Sequence, residues 1–209
     1  MTNLDMKKTL KHLYAPSAKD VSVVDIPPMH YLMIDGEGNP NSAPRYAQAV
    51  EALYGLAYTI RAIRKNAGET FTVMPLEGLW ALKGKHNPEI NLTEADKDSF
   101  VWTLMVLQPE SITPEIVEQA RAIVNKKKDS PELVNEVRFE QYHEGEAVQI
   151  MHIGSYNDEG PNVARLHAHI TDNGWKFGDN LHHEIYLNDP RKVAAEKLKT
   201  VIRQPFTRS

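Results

Sequence analysis

The stretch His182-His183-Glu184-Ile185-Tyr186-Leu187 carries the side chains of this sequence best suited to chemistry. If residues 181–187 run as a strand, successive side chains point to opposite faces. Ile185 and Leu187 then share one face, and His182, Glu184 and Tyr186 share the other. The apolar face is expected to pack beneath helices, leaving a carboxylate, a phenol and an imidazole on the open side of the sheet. A carboxylate beside aromatic rings can take a proton from water, or it can pair with a cation. The plain alternative is a solvated strand carboxylate that does neither.

The aromatic inventory near this stretch is large: Trp80, Trp102, Tyr31, Tyr54, Tyr58, Tyr142, Tyr156 and Tyr186. Aromatic rings offer broad rigid area at little entropic cost and suit a cage for a flat ligand, although each can equally serve as core. Nine histidines raise the question of a metal, but their spacing speaks against one. His182 and His183 diverge on a strand, and His167 and His169 diverge on a helix, where a ligand pair wants four-residue spacing. Gly154-Ser155-Tyr156 is not the five-residue nucleophile elbow of hydrolases. Gly36-Glu37-Gly38 lacks the spacing and the lysine of a phosphate loop. The Lys126–Lys128 run reads as a solvated helix end.

These residues sit within a chain that loosely repeats itself. Tyr31-Leu32-Met33-Ile34-Asp35-Gly36 is echoed by Gln149-Ile150-Met151-His152-Ile153-Gly154, and Glu77-Gly78-Leu79-Trp80 by His183-Glu184-Ile185-Tyr186. Residues 103–109, ending Gln108-Pro109, are echoed by 199–205, ending Gln204-Pro205. The order is the same in both halves, so the economical reading is a duplicated unit packed about a pseudo-twofold axis, with a groove where the copies meet. Glu184 then corresponds to Gly78, one half offering a carboxylate where the other offers empty space. A second alignment pairs it with Glu77.

Local patterns supply the elements. Leu4 to Leu13 is spaced for a short helix. Val21–Ile26, closed by Pro27-Pro28, reads as an edge strand, and Tyr31–Asp35 as the next. Pro44 opens the longest helix, with Tyr46, Val50, Leu53, Ala57 and Ile60 as its stripe and Gly68 as its stop. Phe71–Leu82 and Phe100–Leu107 read as strands separated by the polar loop Lys83–Asp98. Thr113-Pro114 starts a linking helix over about 114–127. The second half predicts strands at Val137–Tyr142 and Ala147–Ile153, a helix at about 159–171, and strands at Leu181–Leu187 and Thr200–Arg203. The whole is one α+β module over 1–209, with a first repeat at about 20–110 and a second at about 135–206.

Composition sets bounds. At 209 residues, with 41% hydrophobic and 25% charged residues, the chain is ordinary for a globular protein. A net charge of −4 argues against a nucleic-acid partner, and no apolar run approaches a membrane span. The absence of cysteine excludes disulfides, thiolate metal sites and a cysteine nucleophile. The polar stretch Met1–Lys11 lacks the apolar core of a signal peptide, so a cytoplasmic location is expected.

With these residues in view, the chain resembles the GyrI-like small-molecule-binding family. The resemblance rests on Lys7–Tyr14, Tyr31–Gly36, Pro75–Trp80, Trp102–Met105, Gln149–Tyr156, His183–Leu187 and Lys197–Pro205, which fall in family order along nearly the whole chain. It implies a tandem pair of strand-helix-strand-strand (SHS2-type) units with a central ligand cleft. Members include drug-sensing domains of transcription regulators, a gyrase inhibitor and stand-alone proteins. One stand-alone subgroup hydrolyses the cyclopropane of cyclopropanoid DNA-alkylating compounds within an aromatic cage. Carried over, the resemblance makes Glu184 the catalytic carboxylate and Trp80, Trp102, Tyr54, Tyr142 and Tyr186 the cage. Ala81 stands where members often have a second tryptophan, a departure that falls on one wall of the implied cage.

Two functions share these residues. In a hydrolase, the rings hold a flat substrate, Glu184 activates or orients water, and a tyrosine such as Tyr142 or Tyr186 donates to the substrate carbonyl, with no metal or organic cofactor required. In a binding module, the rings and Glu184 capture planar, often cationic xenobiotics without chemistry. Gyrase-type partner binding is a third reading. The expected partner is a flat aromatic small molecule.

Overall fold

The computed structural model describes residues 3–84, 95–178 and 181–208. Most of the polar loop expected over Lys83–Asp98 therefore lies outside the described residues. The first half runs β1 (Asn3–Leu4), α1 (Met6–Thr9), α2 (Lys11–Tyr14), β2 (Ser22–Ile26), β3 (Met29–Glu37), α3 (Pro44–Asn66), β4 (Thr70–Phe71), β5 (Leu76–Leu82) and β6 (Phe100–Leu107). A linking helix α4 (Pro114–Asn125) leads to β7 (Arg138–Tyr142), β8 (Gly145–Ile153), α5 (Gly160–Asp172), β9 (Lys176–Phe177), β10 (His182–Tyr186) and β11 (Lys199–Thr207).

Local chemistry explains most of these boundaries. Pro44 occupies the first turn of α3, where its missing amide costs nothing, and Gly68 follows the helix with φ of 90°. The expected strand Phe71–Leu82 divides into β4 and β5, because Pro75 has no N–H to give the ladder. The single N-terminal helix divides into two short turns at Leu10. β1 and β9, two residues each, carry too little periodicity to be read from sequence.

One antiparallel path runs β2-β8-β11-β10-β5-β6-β3-β7, with β9 added beside β11. The order is symmetric about the β10–β5 junction, and the first long strand of each half pairs on the other half's side. The repeated blocks of β3/β6 and β8/β11 occupy matching ladder positions. Tyr31 pairs with Leu107, and their counterparts Gln149 and Arg203 pair with each other. The third block is displaced by two residues. Glu77 pairs with Met105, whose counterpart Val201 pairs with Ile185 rather than His183. Gly78 is thus the cross-strand neighbour of Glu184 instead of its repeat equivalent.

The faces also differ from the expectation. Register places Gly78, Trp80, Trp102, Glu184, Tyr186 and Ile202 on one face and Glu77, Leu79, His183, Ile185, Val201 and Arg203 on the other. Both long flanking helices lie on the Glu184 face. Tyr46 of α3 packs on Trp80 and Trp102, and Val163, Leu166 and Ile170 of α5 pack on Val148, Ile150 and Ile202. The opposite face is not apolar. His183 sits fully buried between Glu77 Oε2 and Glu144 Oε1, each 3.0 Å away, and Arg203 reaches Glu144 Oε2 at 3.3 Å. Tyr14 donates to Glu77 at 2.7 Å, Gln149 donates to the His12 carbonyl, and Arg203 donates to the Leu13 carbonyl. The N-terminal turns therefore cap this network, which holds two acids against two cations.

Candidate functional site

Glu184 lies at the middle of β10 beside the β10–β5 junction, with Gly78 opposite on one side and Ile202 on the other. Its side chain remains 14% exposed, so it is recessed but reachable. His182 Nε2 approaches Glu184 Oε1 at 3.3 Å from two residues along the same face. Burial pushes the Tyr186 phenol well above its ordinary value, and the nearby negative charge of Glu184 raises it further. The Trp80 indole N–H donates to the Tyr186 oxygen at 2.8 Å. Trp80 and Tyr186 are thus joined to each other beside Glu184 on the same face, with His182 on the carboxylate's other flank.

The space above Gly78 is not empty, as the repeat suggested. A Cβ there would lie 2.6 Å from Trp80 Nε1 and 3.3 Å from the Tyr186 hydroxyl. Glycine lets the indole fold back across its own strand and reach Tyr186. Gly36 plays a parallel part for Trp102, whose ring lies where a Cβ would come within 2.0 Å.

Aromatic rings wall the carboxylate. Tyr46 stacks on Trp80 at a centroid distance of 6.2 Å and meets Trp102 edge-on at 5.3 Å. Tyr156 meets Tyr186 edge-on at 5.6 Å, and Phe100 closes on Trp80 at 5.6 Å. Burial, then the charge of Glu184, raises the Tyr46 phenol, while burial, then Glu159, pushes Tyr156 up to about 12. Both hydroxyls stay protonated at neutral pH and can donate to a ligand.

A second acid sits behind the first. Glu159 precedes α5, is 2% exposed, and its Oε1 has no hydrogen-bond partner. Burial and the neighbouring Glu184 charge raise it well above the usual carboxylate range, opposed only by the Thr200 hydroxyl. Burial and the neighbouring negative charge thus favour the protonated form of Glu159.

Of the residues singled out from sequence, Glu184, Trp80 and Tyr186 come together. Trp102 belongs to the same face, but its ring is 2% exposed and its indole N–H donates to the Gly38 carbonyl, so it supports Tyr46 from behind. Tyr54 lies two turns along α3 from Tyr46, against the Leu76 backbone, with burial pushing its phenol to about 12. Tyr142 is not brought to Glu184. It pairs with Met29 at the far edge of the sheet, meets Tyr31 edge-on at 6.3 Å, and is raised by burial and by Glu144 on the opposite face. Strand order separates it, a property that residue type does not reveal. Sequence reading missed Tyr46 and Glu159. The spacing of Tyr46, Val50 and Tyr54 on one helix face was the available signal for the first, whereas nothing local marks Glu159 as buried.

An open depression of about 440 Å³ lies elsewhere, lined by Asp35, Glu37, Arg45, Val101, Trp102 and Thr103 among others. Neither Glu184 nor Tyr186 lines it, and its charged groups are already paired: Arg138 and Thr103 hold Asp35, and Lys83 holds Glu37. The chemistry therefore points to the recessed Glu184 and the rings around it. Among the described residues, no three His, Asp or Glu side chains converge to hold a metal ion, and no helix is long and apolar enough to cross a membrane.

A recessed carboxylate set in aromatic walls, on an antiparallel sheet that carries two helices, defines a small-molecule-binding α+β domain. The chain belongs to the GyrI-like small molecule binding domain family, whose sequence profile matches residues 19–206. It is 36% identical to an uncharacterized conserved protein from Listeria innocua, with a TM-score of 0.88 over 98% of this chain and 100% of that one. It is 34% identical to a crystallised hydrolase from Listeria innocua, with a TM-score of 0.85 over 98% of this chain and 100% of that one. The EcmrR C-terminal domain, at 13% identity and a TM-score of 0.53 over 91% of this chain and 98% of that one, shares the fold alone. No curated protein matches the chain.

Proposed function

We propose that this protein binds flat aromatic xenobiotics beside Glu184 and hydrolyses the cyclopropane ring of cyclopropanoid DNA-alkylating compounds. The observation that carries the reading is the recessed Glu184 beside the hydrogen-bonded Trp80–Tyr186 pair, with Tyr46 against Trp80 and Tyr156 against Tyr186. The likeness to a Listeria hydrolase over the full chain supports it.

A spirocyclopropane conjugated to a dienone is primed for ring opening, because cleavage restores an aromatic phenol. Water adds its oxygen to the ring methylene, the strained C–C bond breaks, and that electron pair moves through the ring to the former carbonyl oxygen. Glu184 takes the proton that water loses, and the phenoxide gains one, so the balance is substrate plus water. Tyr46 and Tyr156, whose raised hydroxyls stay protonated, donate to the developing oxyanion. Trp80 and Tyr46 hold the ring system so that attack is effectively unimolecular.

The second reading is a binding module without turnover. It is favoured by the pairing of Glu184 with Glu159, which suits a cationic ligand. Incubating the purified protein with a cyclopropanoid alkylator and reading product mass separates the two. A water-added, ring-opened product well above the protein-free control supports hydrolysis, while tight binding of unchanged compound supports the receptor. Glu184→Gln is expected to keep binding within a few-fold and to lose turnover by at least a hundredfold. Full activity in Glu184→Gln would refute the role given to that carboxylate.

A further inference from the structure

A carboxylate that must aim one oxygen at a water molecule needs its rotamer held from more than one side. Tyr186 stands to one side of Glu184, two residues along the same strand face. The other flank is His182, whose Nε2 stands 3.3 Å from Oε1, with the two side chains only 8% and 14% exposed. We infer that His182 is the positioning residue for Glu184, its Nε2–H donating to Oε1 and leaving the second carboxylate oxygen to meet water. The inference rests on the hydrolytic reading for its kinetic consequence, but the contact itself is independent of it.

The surroundings of His182 favour the role of fixed donor. Trp80 faces it across the β10–β5 ladder, and Glu184 is the charged group beside it on its own strand. From α5 the facing titratable group is His167, which burial and His182 lower to about 4, so it is neutral and brings no competing charge. From β11 the nearby polar side chain is Gln204, fully buried and with both amide atoms unpartnered. His167 Nε2 is likewise unpartnered. Among these groups Glu184 is the one carboxylate in reach of the imidazole, so His182 is directed toward it.

Two measurements test the inference. First, long-range proton–nitrogen correlation spectra of the wild-type protein and of Glu184→Gln, without substrate, report the His182 tautomer and its N–H proton. A protonated Nε2 with a downfield, exchange-protected proton that moves on Glu184→Gln supports the pairing. An Nε2 without a proton, or a signal indifferent to Glu184→Gln, overturns it. Second, His182→Phe is expected to lower kcat on a cyclopropanoid alkylator by about ten- to a hundredfold with KM within about threefold. His182→Gln, whose amide nitrogen can stand near Nε2, recovers much of that loss. Equal kcat in His182→Phe and wild type overturns the inference, as does equal impairment of folded His182→Gln and His182→Phe. If the wild-type protein turns over no substrate while the spectra show the Nε2–H contact, the hydrolytic reading fails and the positioning contact stands.

Discussion

Raising the pH from 6.5 to 9 should destabilise this protein through a single buried histidine. His183 is fully buried and holds a carboxylate against each ring nitrogen, Glu144 on Nδ1 and Glu77 on Nε2, both at 3.0 Å. Burial alone would lower the imidazole, but Glu144 and Glu77 outweigh it and raise His183 from 6.5 to about 9. Below pH 6.5 the imidazole is protonated in folded and unfolded chains alike, and the full stabilisation is present. Between 6.5 and 9 the unfolded chain loses the proton first, so stability falls with pH, and above 9 the contribution is gone. At about 1.4 kcal/mol for each unit, the gap is worth about 3 kcal/mol. With a urea slope of about 2–3 kcal/mol per molar, the unfolding midpoint should fall by roughly 1 M across that window at constant slope. Tyr14 and Tyr31 of the same face are raised above 10, so they titrate outside it. A urea midpoint that stays flat, or rises, between pH 6.5 and 9 would refute the charge network as described.

Three further outcomes follow from the site. Glu159 is raised by burial and by Glu184, so its folded form favours the proton, and stability is lost as pH rises through that raised value. Glu159→Gln should therefore unfold at a higher temperature than wild type at pH 8, with the advantage shrinking at pH 4, as thermal unfolding at both pH values would report. Gly78→Ala drives a methyl to 2.6 Å from the Trp80 nitrogen. It should cost about 1–3 kcal/mol of stability and weaken binding of a planar aromatic compound at least tenfold, measured by quenching of tryptophan fluorescence. Tyr142→Phe should leave binding and turnover within twofold, because its hydroxyl lies with Tyr31 at the far edge of the sheet and not at Glu184. A large loss of turnover in that variant would reinstate Tyr142 in the cage.

Local pattern carried the sequence reading a long way. Alternation along 182–186 correctly sorted Glu184, Tyr186 and His182 onto one face, because a strand reverses its side chains at every residue whatever surrounds it. Proline and glycine marked the ends of α3, and the three- to four-residue stripe gave its buried side. Tyr31 of the first block pairs with Leu107, as Gln149 of the echoing block pairs with Arg203, while the third block is shifted by two residues. What local pattern does not contain is which face the helices cover. The His183 face reads as apolar from Ile185 and Leu187 alone, yet it holds Glu77, Glu144, His183 and Arg203, residues whose burial is tolerable only because partners up to 106 positions away neutralise them.

The site divides along the same line. The sequence by itself determined the chemistry available: a carboxylate, a phenol and an imidazole on one strand, and a tryptophan two residues past a glycine. Tertiary structure decided which of these meet. Strand order set β10 against β5 at the centre of the sheet and so brought Trp80 to Tyr186, while the same order carried Tyr142 to an edge strand and the other face. The packing of α3 and α5 brought Tyr46 over Trp80 and buried Glu159 beside Glu184. Side-chain direction follows from a two-residue period, but contact between residues a hundred apart follows from the closing of the whole sheet, and no local pattern encodes that.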